Sequence, residues 1–188
     1  MRHSIHGTFA LCALSLGLAA GVAAQPASGP MGAGKSGGNA LASGDRTFVQ
    51  KAAIGGLAEV QMGNLAQQKA ASDQVRQFGM RMVKDHTKAN DELKQVASSK
   101  GVDVPTALDK KHQKTLDNLS KMTGADFDKA YMANMVDDHK EDVSDFKKEA
   151  SGGKDADVKG FAAKTLPTLQ EHLQMAQTTR DAVKKGTK

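Results

Sequence analysis

Residues 126–150 read DFDKAYMANMVDDHKEDVSDFKKEA, and this stretch decides the fold. Tyr131, Met135, Val143, Phe146 and Ala150 recur at intervals of three and four, with one gap that His139 fills. That period describes an amphipathic helix with a single buried stripe. His139 therefore stands where an apolar residue is due. An ionisable group in a core needs a partner, because burying it alone is strongly unfavourable. Asp126 is placed to cap the start of this helix, and Ser151-Gly152-Gly153 to end it.

The same pattern recurs on both sides. A helix over about 46–71, capped by Asp45, carries Phe48, Ala52, Gly55, Glu59, Met62 and Ala66 in its stripe. A second, capped by Ser72 or Asp73 and stopped at Gly101, carries Val75, Gly79, Met82, His86, Ala89, Leu93 and Ala97. The last, from about 155, carries Val158, Ala162, Thr165, Leu169, His172, Ala176, Thr179 and Val183. Pro167 interrupts it one turn before His172, where a missing backbone donor predicts a bend that either aims the histidine or wraps the helix around the core. Between the second and third long helices lie about 25 residues, with a short helix predicted from Pro105 to about 122 and ended by Gly124. Alternating β-patterns are almost absent. The expectation is an all-α four-helix bundle over 45–185, with a short extra helix in one long crossover connection and the second and third long helices parallel.

Glu59, His86, His139 and His172 thus occupy core positions near the midpoints of four different helices, so they share one level whichever way the helices run. One inward ionisable group per helix at a common height is how a bundle assembles a metal site. Neutral imidazoles with one carboxylate suit a single transition-metal ion, zinc, copper or iron. A buried polar layer that only fixes helix register is the structural alternative. Acids precede all three histidines, in Asp85-His86, Asp138-His139 and Glu171-His172. A neighbour one residue on points about 100° away, so it does not reach the same ion, but it can accept the second N–H of a histidine on an adjacent helix; each can equally be a solvated flank position. Met62, Met82, Met135 and Met175 lie three or four residues from the ring positions. With a crossover, all four fall on one side of the ring, as core filler or as soft donors. His112, within Lys110-Lys111-His112-Gln113-Lys114, reads as surface.

The first residues bound the compartment. Arg2 and His3 precede an apolar run at 8–22 and small residues at Ala23 and Ala24, the outline of a secretory signal peptide over 1–24. The run is too short for a membrane span, and no later stretch reaches that length. Cys12, the single cysteine, lies inside it, so the exported chain would hold a metal through His, Glu, Asp or Met. Residues 25–44, rich in Gly, Ala, Ser and Pro, read as a flexible linker. The net charge of +5 is interspersed, with no Trp, one Tyr and no aromatic-basic stripe, which argues against nucleic acid as a partner.

The series Phe48…Gly56-Leu57-Ala58-Glu59-Val60…Gly63…Leu65-Ala66, Phe78…Met82-Val83…Asp85-His86, Phe127-Asp128…Tyr131…His139…Phe146 and Phe161-Ala162…Leu166-Pro167…Leu169…His172 resembles the secreted bacterial domain-of-unknown-function family numbered 4142 over about 47–183. That family is often labelled an outer-membrane protein. The resemblance implies a ferritin-like bundle and a periplasmic or secreted location, and no established activity. Ferritin-like di-iron proteins place Glu-x-x-His on two helices. Here Val83, Val136 and Leu169 stand three residues before the histidines, which argues for one ion rather than two. The functional expectation is an extracytoplasmic metal-binding bundle with a mononuclear Glu59/His86/His139/His172 site, in metal handling or envelope stress. A structural or interaction bundle, or a metal-dependent redox enzyme, are the alternatives.

Overall fold

The structure, a computed structural model, describes residues 41–186. The expected signal peptide at 1–24, Cys12 and the linker as far as residue 40 lie outside the described residues. Five helices follow in order: α1 (Ser43–Lys69), α2 (Asp73–Ser99), α3 (Lys110–Ser120), α4 (Gly124–Gly152) and α5 (Ala156–Gly186). There is no strand among the described residues, only an isolated bridge between Ala70 and Gly124. None of these helices is long and apolar enough to cross a membrane.

Two tight connections make two helical hairpins, α1–α2 and α4–α5. Gly124, at the start of α4, pairs with Ala70 at the end of α1. At the opposite end, Asp45 near the start of α1 accepts backbone N–H bonds from Lys154 (3.1 Å) and Asp155 (2.6 Å), just before α5. Lys100, just past α2, reaches Asp155 at 3.0 Å. These ties fix α2 and α4 as parallel and α1 and α5 as running the other way, the one-crossover arrangement expected from the length of the connection.

The caps differ from expectation in an instructive way. Asp45 makes no cap bond to α1, which begins at Ser43; its buried carboxylate serves the α4–α5 turn instead. Ser72 makes no side-chain cap on α2. The buried Asp128 of α4 accepts the N–H groups of Ala71 (3.1 Å) and Ser72 (2.8 Å). Each hairpin turn is thus satisfied by a carboxylate from the other hairpin, because helix-terminal donors need an acceptor and do not require a local one. Pro105 does not open α3. Asp109 caps it, accepting from the His112 N–H at 2.8 Å. Gly101 stops α2 as expected, with φ +65° in the left-handed region where glycine is favoured. Helix α5 runs on through Pro167, whose side chain faces outward.

The core falls into two apolar clusters. One gathers Met62, Phe78, Met82, Phe127, Tyr131, Met132 and Met135 where α1 ends. The other gathers Phe48, Val49, Leu93, Phe146, Val158, Phe161 and Leu169 where α1 begins. Burying each large apolar side chain contributes about 1.5–3 kcal/mol. Between the clusters, on all four long helices, lie Glu59, His86, His139 and His172, each at most 5% exposed. Met62, Met82 and Met135 sit together on one side of that layer, as the crossover requires. Met175 departs from the expectation: it is 37% exposed, and Ala176 takes the buried position on α5.

Candidate metal centre

Helices α1 and α2 approach closely where glycines face each other. A Cβ on Gly79 would stand 2.8 Å from the Gly63 carbonyl oxygen, and one on Gly56 would overlap the Asn90 amide. Glu59 lies between those two glycines on α1. The close approach lets its Oε2 meet His86 Nδ1 on α2 at 2.8 Å. On α4, His139 Nδ1 donates to the Met135 carbonyl one turn earlier, at 2.9 Å. On α5, His172 Nε2 bonds the Asp85 carboxylate of α2 at 2.9 Å.

Each imidazole is therefore held through one nitrogen. The other nitrogens, His86 Nε2, His139 Nε2 and His172 Nδ1, are buried without a hydrogen-bond partner. The His139 ring packs edge-on against His172 and His86, with centroids 5.3 and 5.7 Å apart, and the His86 and His172 rings are tilted by 42° at 5.2 Å. One nitrogen from each lies within 4.8 Å of the others. Three buried histidines placed this way could hold a metal ion. A tetrahedral ion bound at 2.0–2.1 Å needs its nitrogens about 3.3 Å apart, so small ring rotations would close the set. Glu59 stands beside this triad: Oε2 lies 2.8 Å from His86 Nδ1 and Oε1 3.4 Å from His139 Nε2, and neither oxygen is in hydrogen-bond geometry with a partner.

The electrostatics favour ligand-ready groups. Burial opposes ionisation of Glu59, but the facing His86 and His139 outweigh it and bring its carboxyl down to about 2. Burial lowers His139, and it lowers His172 to about 4 against the pull of Asp85, so both rings are neutral donors at neutral pH. Asp85 would itself be raised by burial, yet hydrogen bonds from Arg81 and His172 hold it low. A neutral ring with its second nitrogen tied to a carboxylate or carbonyl is the usual form of a metal-binding histidine.

Of the three acids preceding histidines, Asp85 alone meets a histidine of the neighbouring helix. Glu171 is exposed and faces Arg81 at 3.6 Å. Asp138 turns towards a cavity between α1 and α4, where burial and then the nearby Glu59 raise it to about 6. Asp142, one turn on, is pushed well above the carboxylate range for the same reasons. Sequence reading passed over this pair, whose signal was the four-residue spacing of Asp138 and Asp142 on a face also carrying Asp145. It also placed His112 on the surface. The structure shows it largely covered, 18% exposed, with Nδ1 2.7 Å from Asp109 at the rim of the same cavity. Arg81, which ties Asp85 in place, gave no sequence signal beyond its own i, i+4 spacing.

A family model described as "Domain of unknown function (DUF4142)" matches residues 31–179. The chain belongs to that family. No curated protein matches it. Among solved structures, this DUF4142 chain is similar to a DUF305 fragment from Deinococcus radiodurans, at TM-score 0.67 and 10% identity, covering 76% of this chain and 99% of that one. It is also similar to a candidate spore coat protein from Bacillus halodurans, at TM-score 0.57 and 13% identity, covering 79% and 91%. At such identities the likeness speaks for the helical-bundle fold of the DUF4142 chain and nothing further.

Proposed function

We propose that this protein is an extracytoplasmic metal-binding bundle. It holds one divalent transition-metal ion through His86, His139 and His172, with Glu59 Oε1 as the fourth donor, and acts in metal handling or envelope stress. The observation that carries the reading is three buried histidines on three helices, each bringing a ring nitrogen within 4.8 Å of the others and each carrying a buried nitrogen without a hydrogen-bond partner. Leaving three such acceptors unsatisfied in a core costs about 1–3 kcal/mol each, and an ion would relieve all of them together. A His3-carboxylate donor set suits zinc, copper or iron. Export through a signal peptide at 1–24, ahead of a linker and a bundle over 45–185, belongs to the same proposal.

Elemental analysis of the purified protein, with thermal melts before and after a chelator, tests it. Bound metal near one equivalent and a melting temperature that falls on chelation are expected. No metal, and no upward shift with added zinc, copper or iron, overturns it. The second reading, a metal-free polar layer, has its own observation: Glu59 Oε2 and His86 Nδ1 already face each other as an ion pair at 2.8 Å. His139→Leu separates the two, since an idle layer loses little or gains stability on that change, whereas a metal site loses its ion-dependent stability.

A further inference from the structure

Two cavities reach the ring from opposite sides, and they differ in charge. The one between α2 and α5 ends at His86 and His172 and is lined by Arg81, Lys88 and Lys164 against Asp85 and Glu92. The one between α1 and α4, roofed by the start of α3, has a volume of about 150 Å³ and ends at Glu59. Its walls carry Asp109, Asp138, Glu141, Asp142 and Asp145 against Lys51 and Lys111. Only the outer acids are matched: Lys51 with Asp145 (3.4 Å), Lys111 with Glu141 (3.3 Å) and His112 with Asp109 (2.7 Å). No hydrogen bond or ion pair engages Asp138 or Asp142 among the described residues. Gly55 lies beside the second of these, where a Cβ would make only ordinary contact with Asp142 Oδ1, at 3.8 Å. At the inner end Glu59, 2% exposed, lines the cavity with Oε1 unpartnered.

We propose that this acidic cavity is the portal through which a hydrated divalent cation reaches the ring, with Asp138 and Asp142 as the residues that draw it inward to Glu59. The inference rests on the metal-binding reading of the ring. Like-signed clefts with low-dielectric walls focus the field and raise the local concentration and capture rate of the opposite ion by 10–10³-fold. The unmatched acids lie deep rather than at the rim, so an arriving divalent cation meets unengaged carboxyl oxygens as far as Glu59 and takes the place of the protons that burial favours there. The cavity is wide enough for water to travel with the ion, because a single water needs only about 10–15 Å³. Oxygen donors hold a divalent ion loosely compared with imidazoles, which lets it pass on to the ring. The opposite cavity, with its excess of basic side chains, disfavours the same traveller.

Cobalt(II) is the probe, since its visible absorption changes when imidazoles replace water. Metal-stripped protein is mixed with cobalt at low ionic strength in a stopped-flow instrument. The proposal expects Asp138→Asn/Asp142→Asn to bind at least about tenfold more slowly, with an unchanged final spectrum and a weaker salt dependence. Lys88→Glu in the opposite cavity should leave the rate within about twofold. Asp142→Asn alone provides the gentler variant and should fall between. An unchanged rate in the double variant overturns the portal and leaves the ring standing. An altered final spectrum overturns it by making these acids ligands, and no cobalt spectrum in the unaltered protein overturns portal and ring together.

Discussion

Gly63 and Gly79 face each other so closely that each occupies space the other's Cβ would need: a Cβ on either stands 2.8 Å from the other's carbonyl oxygen. This crossing of α1 and α2 lies one turn from Glu59 on one helix and two turns from His86 on the other. It sets the interhelical distance at which the 2.8 Å Glu59–His86 pair forms.

Gly79→Ala should therefore destabilise the protein, although alanine is the better helix former. Its Cβ would also stand 2.7 Å from the Ala66 Cβ, and neither neighbour is a flexible side-chain end. Overpacking of this kind costs about 1–3 kcal/mol. Urea unfolding of the variant should show a lower midpoint with an unchanged slope; an equal or higher midpoint contradicts the close-contact account.

Asp85→Ala should weaken metal binding without removing a ligand. The carboxylate accepts from His172 Nε2 and is itself held by Arg81. Losing such an orienting group typically lowers metal affinity 10–100-fold. Competition with a chromophoric chelator measures this. A drop of less than about threefold would mean that His172 keeps its orientation without Asp85.

Acid should remove a stabilising contribution that neutral His172 makes to the metal-stripped protein. His172 titrates at about 4 in the folded state because burial disfavours its charged form, against about 6.5 when unfolded. The unfolded chain thus takes up the proton first. This contribution is fully present above about pH 6.5 and is lost as the pH falls towards 4, by up to about 3 kcal/mol. Asp138 and Asp142, raised in the folded state, gain stability over the same fall in pH, so the loss is read as the difference between the unaltered protein and His172→Asn in chemical unfolding at pH 7.0 and 4.5. The same pH dependence in the two proteins would contradict a buried neutral ring.

Tyr131→Phe should be neutral or stabilising. The Tyr131 ring stacks on Phe127 with centroids 5.5 Å apart, while its hydroxyl is buried without a partner. Removing an unsatisfied buried donor relieves about 1–3 kcal/mol of desolvation, less the small dispersion attraction that the oxygen supplies. A melting temperature lowered by several degrees would show that the hydroxyl has a partner, such as a bound water.

Much of this architecture was legible in the sequence because it rests on periodicity. The stripe from Tyr131 to Phe146 places His139 inside, and the same counting places Glu59, His86 and His172. The length of the connection before α4 gave the parallel pairing of α2 and α4. What escaped was contact between segments distant in the chain. Asp45 read as a local cap and Asp128 carried no reading of its own, yet each satisfies a turn more than 50 residues away, and no local rule encodes such a partner. Helical spacing placed Met175 on the ring's flank, but Ala176, four residues after His172, takes the inward position, and Met175 beside it turns outward to 37% exposure. The Asp138–Asp142 cavity escaped because it depends on how α3 roofs the gap between α1 and α4.

One consequence concerns the two hairpins. The α1–α2 hairpin brings Glu59 and His86, and the α4–α5 hairpin brings His139 and His172, so neither holds a complete donor set. On the proposed metal-binding reading, ion affinity gauges how firmly two half-molecules stay docked, and the crossover acts as a tether that sets their effective concentration. Cutting the chain within 102–108 would turn a unimolecular affinity into one that depends on protein concentration, with the ion as the link between separate partners.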